Sequence, residues 1–202
     1  MTLDQLPSPL WVLGTDTGVG KTYVARRIAE AWAAHCPVVY RKPFQTGVTG
    51  QDDPEADAFQ LRGPGIQVET GVLLREPLSP LAAAEREGRI LDLEALRAWT
   101  LRPAPGAKVL LEGVGGVMVP LAPHRHFLAW ATELKLPAVV VARGGLGTLN
   151  HTLLTCEALM MRGWSIPAVI LNPGVDRSHE AAQENAAGLR RFLPVPVMVL
   201  EP

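Results

Sequence analysis

A glycine-rich turn lies near the N-terminus, between two segments of different periodicity. The turn, residues 14–22, reads Gly-Thr-Asp-Thr-Gly-Val-Gly-Lys-Thr. It follows a short apolar run, residues 10–13, and it opens a segment with helical periodicity, residues 24–34. A strand, a glycine-rich turn and a helix in that order predict a loop that binds phosphate groups.

The physical basis of this prediction is the backbone of the turn. Glycines let successive N–H groups point inward, and the helix N-terminus adds partial positive charge. Lys21 would reach the β- and γ-phosphates of a nucleoside triphosphate, and the Thr22 hydroxyl would ligate magnesium. The loop departs from the strict pattern, because Gly14 lies one residue too far from Gly20. The residues expected to contact the nucleotide are Thr15, Asp16, Thr17, Gly18, Val19, Gly20, Lys21 and Thr22.

Length and composition limit the classes of protein that fit this chain. The chain has 202 residues, of which 48% are hydrophobic, which predicts a single globular domain over residues 1–202. A net charge of -1 gives no electrostatic basis for nucleic acid or an anionic membrane as the main partner. No apolar run approaches the roughly 20 residues that span a bilayer, and the N-terminus lacks the basic region of a secretory signal. The two cysteines, Cys36 and Cys156, form no disulfide framework, so a reducing cytoplasm is expected.

Apolar runs and helical patterns alternate along the chain. The apolar runs predict strands at residues 10–14, 37–42, 108–112, 137–142, 166–171 and 195–200. The helical patterns cover residues 21–34, 56–61, 80–87, 92–101, 127–134, 148–162 and 180–192. This alternation predicts an α/β fold in which helices cover both faces of a mostly parallel sheet. Residues 45–105 lack strong strand signals, and we expect functional loops with short helices there.

A second candidate site residue is Lys42, at the end of the second predicted strand. Only four of the 19 basic residues are lysines, so a lysine here and another in the phosphate loop are notable. The fold would place Lys42 in the same crevice as the loop. Thr46 then adds a hydroxyl, and Gly47 adds a flexible backbone. An exposed lysine before the turn-forming Pro43 is the alternative.

An acidic residue ends the third predicted strand. The apolar run of residues 108–112 ends in Glu112, which is the position of a magnesium ligand beside a phosphate loop. Gly115 and Gly116 follow and would allow a substrate to approach the backbone closely. Asp57 is a further candidate, although its acidic neighbours make it indistinguishable from a solvated helix start.

Taken together, residues 14–22, 42–47 and 112–116 resemble the dethiobiotin synthetase family. The similarity continues in residues 78–85 and 143–151. The family's phosphate loop has the same additional residue, so the displaced Gly14 supports the resemblance. The resemblance implies a P-loop NTPase-like domain.

Members of that family use ATP, magnesium and carbon dioxide to close a cyclic urea on 7,8-diaminopelargonic acid. A carbamate forms first, takes the γ-phosphoryl group, and is then attacked by the second amine. The resemblance implies roles for matched residues: Lys21, Lys42 and Thr17 in catalysis, Thr22, Asp57 and Glu112 on magnesium, Thr46, Gly115 and Gly116 on the substrate, and Asn172 on adenine. Some members have an acid at Gly18 and a serine at Thr46, so a role for an acid at Gly18 is lost or assumed elsewhere.

A further segment, residues 147–150, looks like a helix start with Thr148 as its cap. Free N–H groups there could bind the substrate's carboxylate, and an ordinary capped helix is the alternative. The resemblance implies that Thr148, Leu149 and Asn150 reach across a homodimer interface. The chain ends at Pro202, before the loop and helix that cover the base in the family, which predicts looser base recognition.

Two other ATP-dependent classes fit part of the pattern. A ParA/MinD-like ATPase switch carries a second lysine near the start of the loop, where this chain has Asp16. An amidoligase of the cobyrinic acid type carries a glutaminase domain with a reactive cysteine, for which 202 residues leave no room. The absence of an Asn-Lys-x-Asp pattern argues against a dedicated GTPase.

Overall fold

Strands and helices alternate along the described part of the chain, residues 2–175 and 179–201, in this computed structural model. The strands are β1 (Leu10–Gly14), β2 (Val38–Thr46), β3 (Ile66–Leu74), β4 (Lys108–Gly116), β5 (Pro120–Ala122), β6 (Arg125–His126), β7 (Ala138–Arg143), β8 (Val169–Asn172) and β9 (Val197–Val199). The helices are α1 (Lys21–Ala33), α2 (Asp57–Gln60), α3 (Pro80–Arg86), α4 (Leu93–Thr100), α5 (Phe127–Thr132), α6 (Thr148–Met160) and α7 (His179–Leu189), preceded by a 3₁₀ turn at Leu3–Gln5.

Seven of these strands form one sheet in the order β3-β2-β4-β1-β7-β8-β9. Every strand pairing described in this sheet is parallel. The short strands β5 and β6 pair separately in an antiparallel arrangement. Strand β1 lies in the middle of the sheet, so the loop that follows it opens at the centre of the carboxyl edge. The predicted α/β architecture is confirmed.

The two faces of the sheet bury separate apolar clusters, because successive side chains of a strand point to opposite faces. Trp11 and Leu13 of β1 pack with α4, α5, α6 and α7 on one face. Leu10 and Val12 pack beneath α1 and α2 on the other face. The centroids of the Trp11 and Phe127 rings lie 5.4 Å apart in an edge-to-face arrangement, which is a favoured aromatic geometry. Helices therefore cover both faces, as predicted.

The prediction that residues 45–105 contain only loops and short helices is wrong, because β3 lies within that range. Its sequence includes Gln67, Glu69, Thr70 and Gly71, which interrupt the apolar pattern of a buried strand. These residues are tolerated because β3 is an edge strand and is only half-buried. Strands β2 and β4 also continue beyond their predicted ends, to Thr46 and Gly116.

The seven predicted helices all occur, and several carry recognisable caps. Ser79 and Asp92 accept hydrogen bonds from the third residue of the helix that each precedes, as N-cap side chains do. The prediction that Thr148 caps α6 is wrong: the N-cap is Gly147 in the left-handed region, and Thr148 is the first helical residue. Within residues 2–175 and 179–201, none of the helices combines the length and the apolar character that a membrane span requires.

Candidate active site

A crevice with a volume of about 640 Å³ opens at the carboxyl ends of β1, β2 and β4. It is the position at which ligands bind in open parallel sheets. Its wall brings together ten of the residues that the sequence singled out. They are Thr17, Gly18, Gly20, Lys21, Thr22, Lys42, Thr46, Asp57, Glu112 and Gly115.

The phosphate loop forms the floor of the crevice, and two of its glycines are conformationally required. Gly18 and Gly20 have φ values of 73° and 86°, which residues with a Cβ rarely adopt. A Cβ on Gly20 would also collide with the Asn172 side chain. The Thr15 N–H donates to the Val141 carbonyl at 2.9 Å and ties the loop to β7.

Lys21 is buried beneath the loop. Its ammonium donates to the carbonyl oxygens of Asp16 and Gly115, both at 3.0 Å. Burial, together with the charge of nearby Lys42, lowers the pKa of Lys21 to about 8. The protonated form is therefore poorly stabilised here, and an anion in the crevice would stabilise it.

Three oxygen ligands from three separate elements converge beside the loop. The Thr22 hydroxyl of α1 lies 2.8 Å from Asp57 Oδ1 and 3.0 Å from Glu112 Oε1. Asp57 begins α2, and Glu112 lies within β4, so the fold itself places them together. Carboxylate and hydroxyl oxygens are the donors that magnesium prefers, and the set fits that ion.

Lys42 neutralises the same pair of acids. Its ammonium lies 2.7 Å from Asp57 Oδ2, 2.7 Å from Glu112 Oε1 and 2.9 Å from the Gly113 carbonyl. These three acceptors match the three hydrogens of an ammonium group. Burial acts to lower the pKa of Lys42, but the two carboxylates outweigh burial and the pKa is raised. Lys42 is therefore a charged group within the crevice.

The two acids differ in electrostatic environment. Burial, with the charge of Asp57 adding to it, raises the pKa of Glu112 more than Lys42 lowers it. Burial also acts upward on Asp57, but the charge and hydrogen bond of Lys42 and the Thr22 hydroxyl together lower its pKa. Ionised Glu112 is thus incompletely compensated, which favours an additional cation beside it.

Comparison with known proteins identifies the family. A family model described as an AAA domain matches residues 9–200. An ATP-dependent dethiobiotin synthetase from Paramagnetospirillum magneticum is 40% identical over 94% of this chain and 89% of its own length. One from Anaeromyxobacter dehalogenans is 39% identical over 96% of this chain and 90% of its own. The chain belongs to the dethiobiotin synthetase family. A further member, from Bacillus licheniformis, is 36% identical over 95% of this chain and 84% of its own.

Solved structures agree on the fold. A nucleotide-binding protein in complex with ADP from Archaeoglobus fulgidus aligns with a TM-score of 0.54. The alignment covers 97% of this chain and 82% of that chain, at 16% sequence identity. At this identity the likeness concerns architecture alone, and it places the family member described here among P-loop NTPase-like folds.

Two buried side chains that the sequence reading of this family member missed complete the acidic cluster. The Tyr40 hydroxyl donates to Glu112 Oε2 at 2.9 Å. Gln45 Oε1 accepts from the Asp57 N–H at 3.1 Å and so fixes the start of α2. An available signal was the strand period of two, which puts Tyr40 on the same face of β2 as Lys42.

A second cavity, of about 500 Å³, lies behind the phosphate loop and includes Tyr23 and Asn172 in its wall. Asn172 is buried, and its Nδ2 donates to the Val19 carbonyl at 3.2 Å, while its Oδ1 accepts from the Gly174 N–H at 3.2 Å. Asn172 thus holds the loop against β8. The adenine contact expected of it in this family stays a prediction.

Several predicted residues do not line the crevice. Asp16 points to Arg143, with 3.5 Å between their charged groups. The Val19 side chain is buried, and Gly116 packs against the Thr15 backbone. Thr148, Leu149 and Asn150, at the start of α6, also lie outside it. The Thr148 hydroxyl is buried and donates to the Arg143 carbonyl at 2.7 Å.

Proposed function

We propose that this chain catalyses the ATP- and magnesium-dependent ring closure of 7,8-diaminopelargonic acid with carbon dioxide. The products are dethiobiotin, ADP and phosphate. One observation carries the proposal: the crevice places two buried lysines, Lys21 and Lys42, within one cluster that also holds two carboxylates. The names of the relatives supply the substrate class.

The reaction brings two anions together. One amine of the substrate adds to carbon dioxide and loses a proton, which gives a carbamate. A carbamate oxygen attacks the γ-phosphorus of ATP, the bond from that phosphorus to the bridging oxygen breaks, and ADP leaves. The second amine attacks the carbonyl of the mixed anhydride, expels phosphate and loses a proton. Positioning and neutralisation of charge are the main demands on the protein.

Lys21 and Lys42 would meet these anions from opposite sides. Lys21 lies under the loop and would contact the β- and γ-phosphates. Lys42 rises from β2 and would contact the carbamate and the transferred phosphoryl group. Thr17 also lines the crevice. Its hydroxyl oxygen lies beside Gly115, since a Cβ added to that glycine would be 2.7 Å from it. We therefore assign Lys21, Lys42 and Thr17 to the reacting end of the site.

Thr22, Asp57 and Glu112 would hold magnesium. When bound, magnesium supplies positive charge that neutralises the triphosphate oxygens. Lys42 bonds both carboxylates, so it would share them with a divalent cation held there. To contact the carbamate, Lys42 would have to leave Asp57.

The aliphatic part of the substrate would lie against the apolar wall of the crevice. Pro77, Leu78 and Val119 form that wall, and Thr46 provides a hydroxyl beside it. An apolar surface with a few polar groups beside it suits a methylene chain that carries two amines. Gly115 leaves room for the reacting end.

A homodimer would complete the site at the carboxylate end of the substrate. Leu146 is fully exposed just before α6, Leu154 is exposed in the middle of α6, and Met161 is exposed directly after its last residue. Apolar side chains exposed along one helix suit a surface that another copy covers. Leu149 and Asn150 would then face the partner's crevice, as the family resemblance implies. Single-domain organisation over residues 1–202 and a cytoplasmic location remain our expectations.

The test is an omission experiment with the purified protein. ADP release should require ATP, magnesium, bicarbonate and 7,8-diaminopelargonic acid together, and the organic product should have the mass of dethiobiotin. Glu112→Gln should abolish this release, whereas Glu180→Gln, an exposed acid at the start of α7, should not. Phosphate release that proceeds equally without the diamine would refute the proposal and favour an ATPase switch.

A further inference from the structure

The Tyr40 hydroxyl is the buried partner of Glu112. Tyr40 is fully buried in the apolar cluster beneath α1. It pairs with Leu110 across the parallel strands β2 and β4, and Glu112 lies two residues further along β4 on the same face. The hydroxyl therefore meets Glu112 diagonally, at 2.9 Å from Oε2. The packed ring gives this hydroxyl a fixed position.

The two oxygens of Glu112 have separate partners. Oε1 faces the crevice and contacts the Thr22 hydroxyl at 3.0 Å and the Lys42 ammonium at 2.7 Å. Oε2 points away from the crevice toward Tyr40. Among the hydrogen bonds of the described residues, the Tyr40 hydroxyl is the donor to Oε2. Only Oε1 is therefore presented to a ligand in the crevice.

We propose that Tyr40 is a positioning residue for the divalent cation. Its hydroxyl holds Oε2 of Glu112 in place by a hydrogen bond and so keeps Oε1 oriented toward the cation. The inference rests on the proposed role of Glu112 as a magnesium ligand. Without the hydroxyl, Oε2 is a buried carboxylate oxygen without a donor, and Glu112 gains by rotating toward Lys42. Partners that orient a metal ligand typically contribute about 10–100-fold to metal affinity.

The experiment measures Mn²⁺ binding directly. Mn²⁺ is titrated into the full chain with a non-hydrolysable ATP analogue bound, and free Mn²⁺ is read by electron paramagnetic resonance. Tyr40→Phe, which removes one oxygen and keeps the ring, should weaken Mn²⁺ binding by about tenfold. The magnesium concentration for half-maximal ADP release should rise in parallel, and the affinity for the analogue without metal should be unchanged.

Thr100→Val is the matched control, because it also removes a buried hydroxyl. The Thr100 hydroxyl donates to the Leu96 carbonyl at 2.7 Å. Its Mn²⁺ affinity should equal that of the wild type. If Tyr40→Phe binds Mn²⁺ normally while Glu112→Gln does not, the inference about Tyr40 is wrong and the magnesium site stands. If both variants bind normally, the magnesium site proposed for Glu112 is wrong as well, and the omission experiment still decides the overall reaction.

Fluorine resonance tests the same inference without altering the fold. The chain has two tyrosines, so incorporation of 3-fluorotyrosine gives two signals, which Tyr23→Phe assigns. With the ATP analogue present throughout, Mg²⁺ should shift the Tyr40 signal, because the ion reorganises the carboxylate to which its hydroxyl is bonded. A Tyr40 signal whose chemical shift does not change up to saturating Mg²⁺ would overturn the inference.

Discussion

Lys42 is the residue whose chemistry depends most on its surroundings. In the crevice it is bonded to the two acids that we assign to magnesium, and its three hydrogens are all engaged. It cannot contact a carbamate without giving up at least one of these partners. Competition between Lys42 and a divalent cation for Asp57 and Glu112 therefore links cation binding to the availability of the ammonium.

Substitution of Lys42 separates cation binding from turnover. Lys42→Gln removes the charge that meets the carbamate, so diamine-dependent ADP release should fall by about a hundredfold or more, the size of effect seen when one group that stabilises transition-state charge is lost. Mn²⁺ affinity, read by paramagnetic resonance, should stay the same or increase, because a competing cation is gone. Lys135→Gln, at an exposed lysine, is the control and should behave as the wild type. A fall in ATP or Mn²⁺ affinity as large as the fall in turnover would assign Lys42 to nucleotide binding instead.

Individual candidate residues could be predicted from the sequence where they belong to a local motif. Lys21 and Thr22 were predicted from the loop, and Glu112 from its place at the end of an apolar run. Asp57 had no such signal, and only the family resemblance selected it. The link from Tyr40 to Glu112 could not be read, because it depends on the register of β2 against β4, which brings together residues 72 positions apart.

At the level of elements, the edge strand β3 is attached to the sheet by a buried ion cluster. Arg41 of β2 pairs directly with Glu69 of β3, and its guanidinium donates to Glu69 at 2.7 Å. It also donates to the carbonyls of Thr100 and Arg102, at 3.1 and 2.6 Å. This set joins β2, β3 and the end of α4, on the face of the sheet opposite Lys42.

Removal of the Arg41 charge should destabilise the fold strongly. Arg41→Met leaves two carbonyls without their buried donor and leaves Glu69 with the half-exposed Arg102, 2.9 Å away, as its cationic partner, so the free energy of unfolding should fall by about 3 kcal/mol. Arg26→Met breaks an exposed i,i+4 pair, with about half of each side chain accessible, and should change stability by less than about 0.5 kcal/mol. Urea denaturation of both variants measures the difference. Equal small losses in the two variants would show that the Arg41 cluster does not hold β3.

The missed strand β3 shows why element prediction failed in this region. Its sequence includes polar residues, and one of them, Glu69, forms an ion pair with Arg41 on the neighbouring strand. Such a cross-strand pair has no signature in the sequence. Gly71 is a further interruption, and a Cβ there would lie 2.6 Å from the Pro43 carbonyl oxygen. The buried strands, in contrast, contain continuous apolar runs and were predicted, although β2 and β4 continue beyond those runs to Thr46 and Gly116.

For the whole molecule, the exposed apolar side chains of α6 link assembly to activity. Leu154 has 58% of its surface exposed, so its replacement by a charged residue should leave the monomer folded. Leu154→Asp should shift the sedimentation of the protein from dimer to monomer and lower diamine-dependent turnover, while ATP binding persists. Ile90→Asp is the control, because Ile90 is 98% exposed in the loop after α3. A Leu154→Asp variant that sediments and turns over as the wild type does would remove α6 from the proposed interface.

Oxygen labelling tests whether a carbamate oxygen receives the γ-phosphoryl group in this crevice. The reaction is started with ¹⁸O-labelled carbon dioxide, quenched before the label exchanges with water, and the phosphate is examined by mass spectrometry. Because the carbamate keeps both oxygens of carbon dioxide, the released phosphate should carry a single ¹⁸O atom and dethiobiotin should keep the other. Unlabelled phosphate, released at the same rate as dethiobiotin, would show that the γ-phosphoryl group is not transferred to a carbamate oxygen.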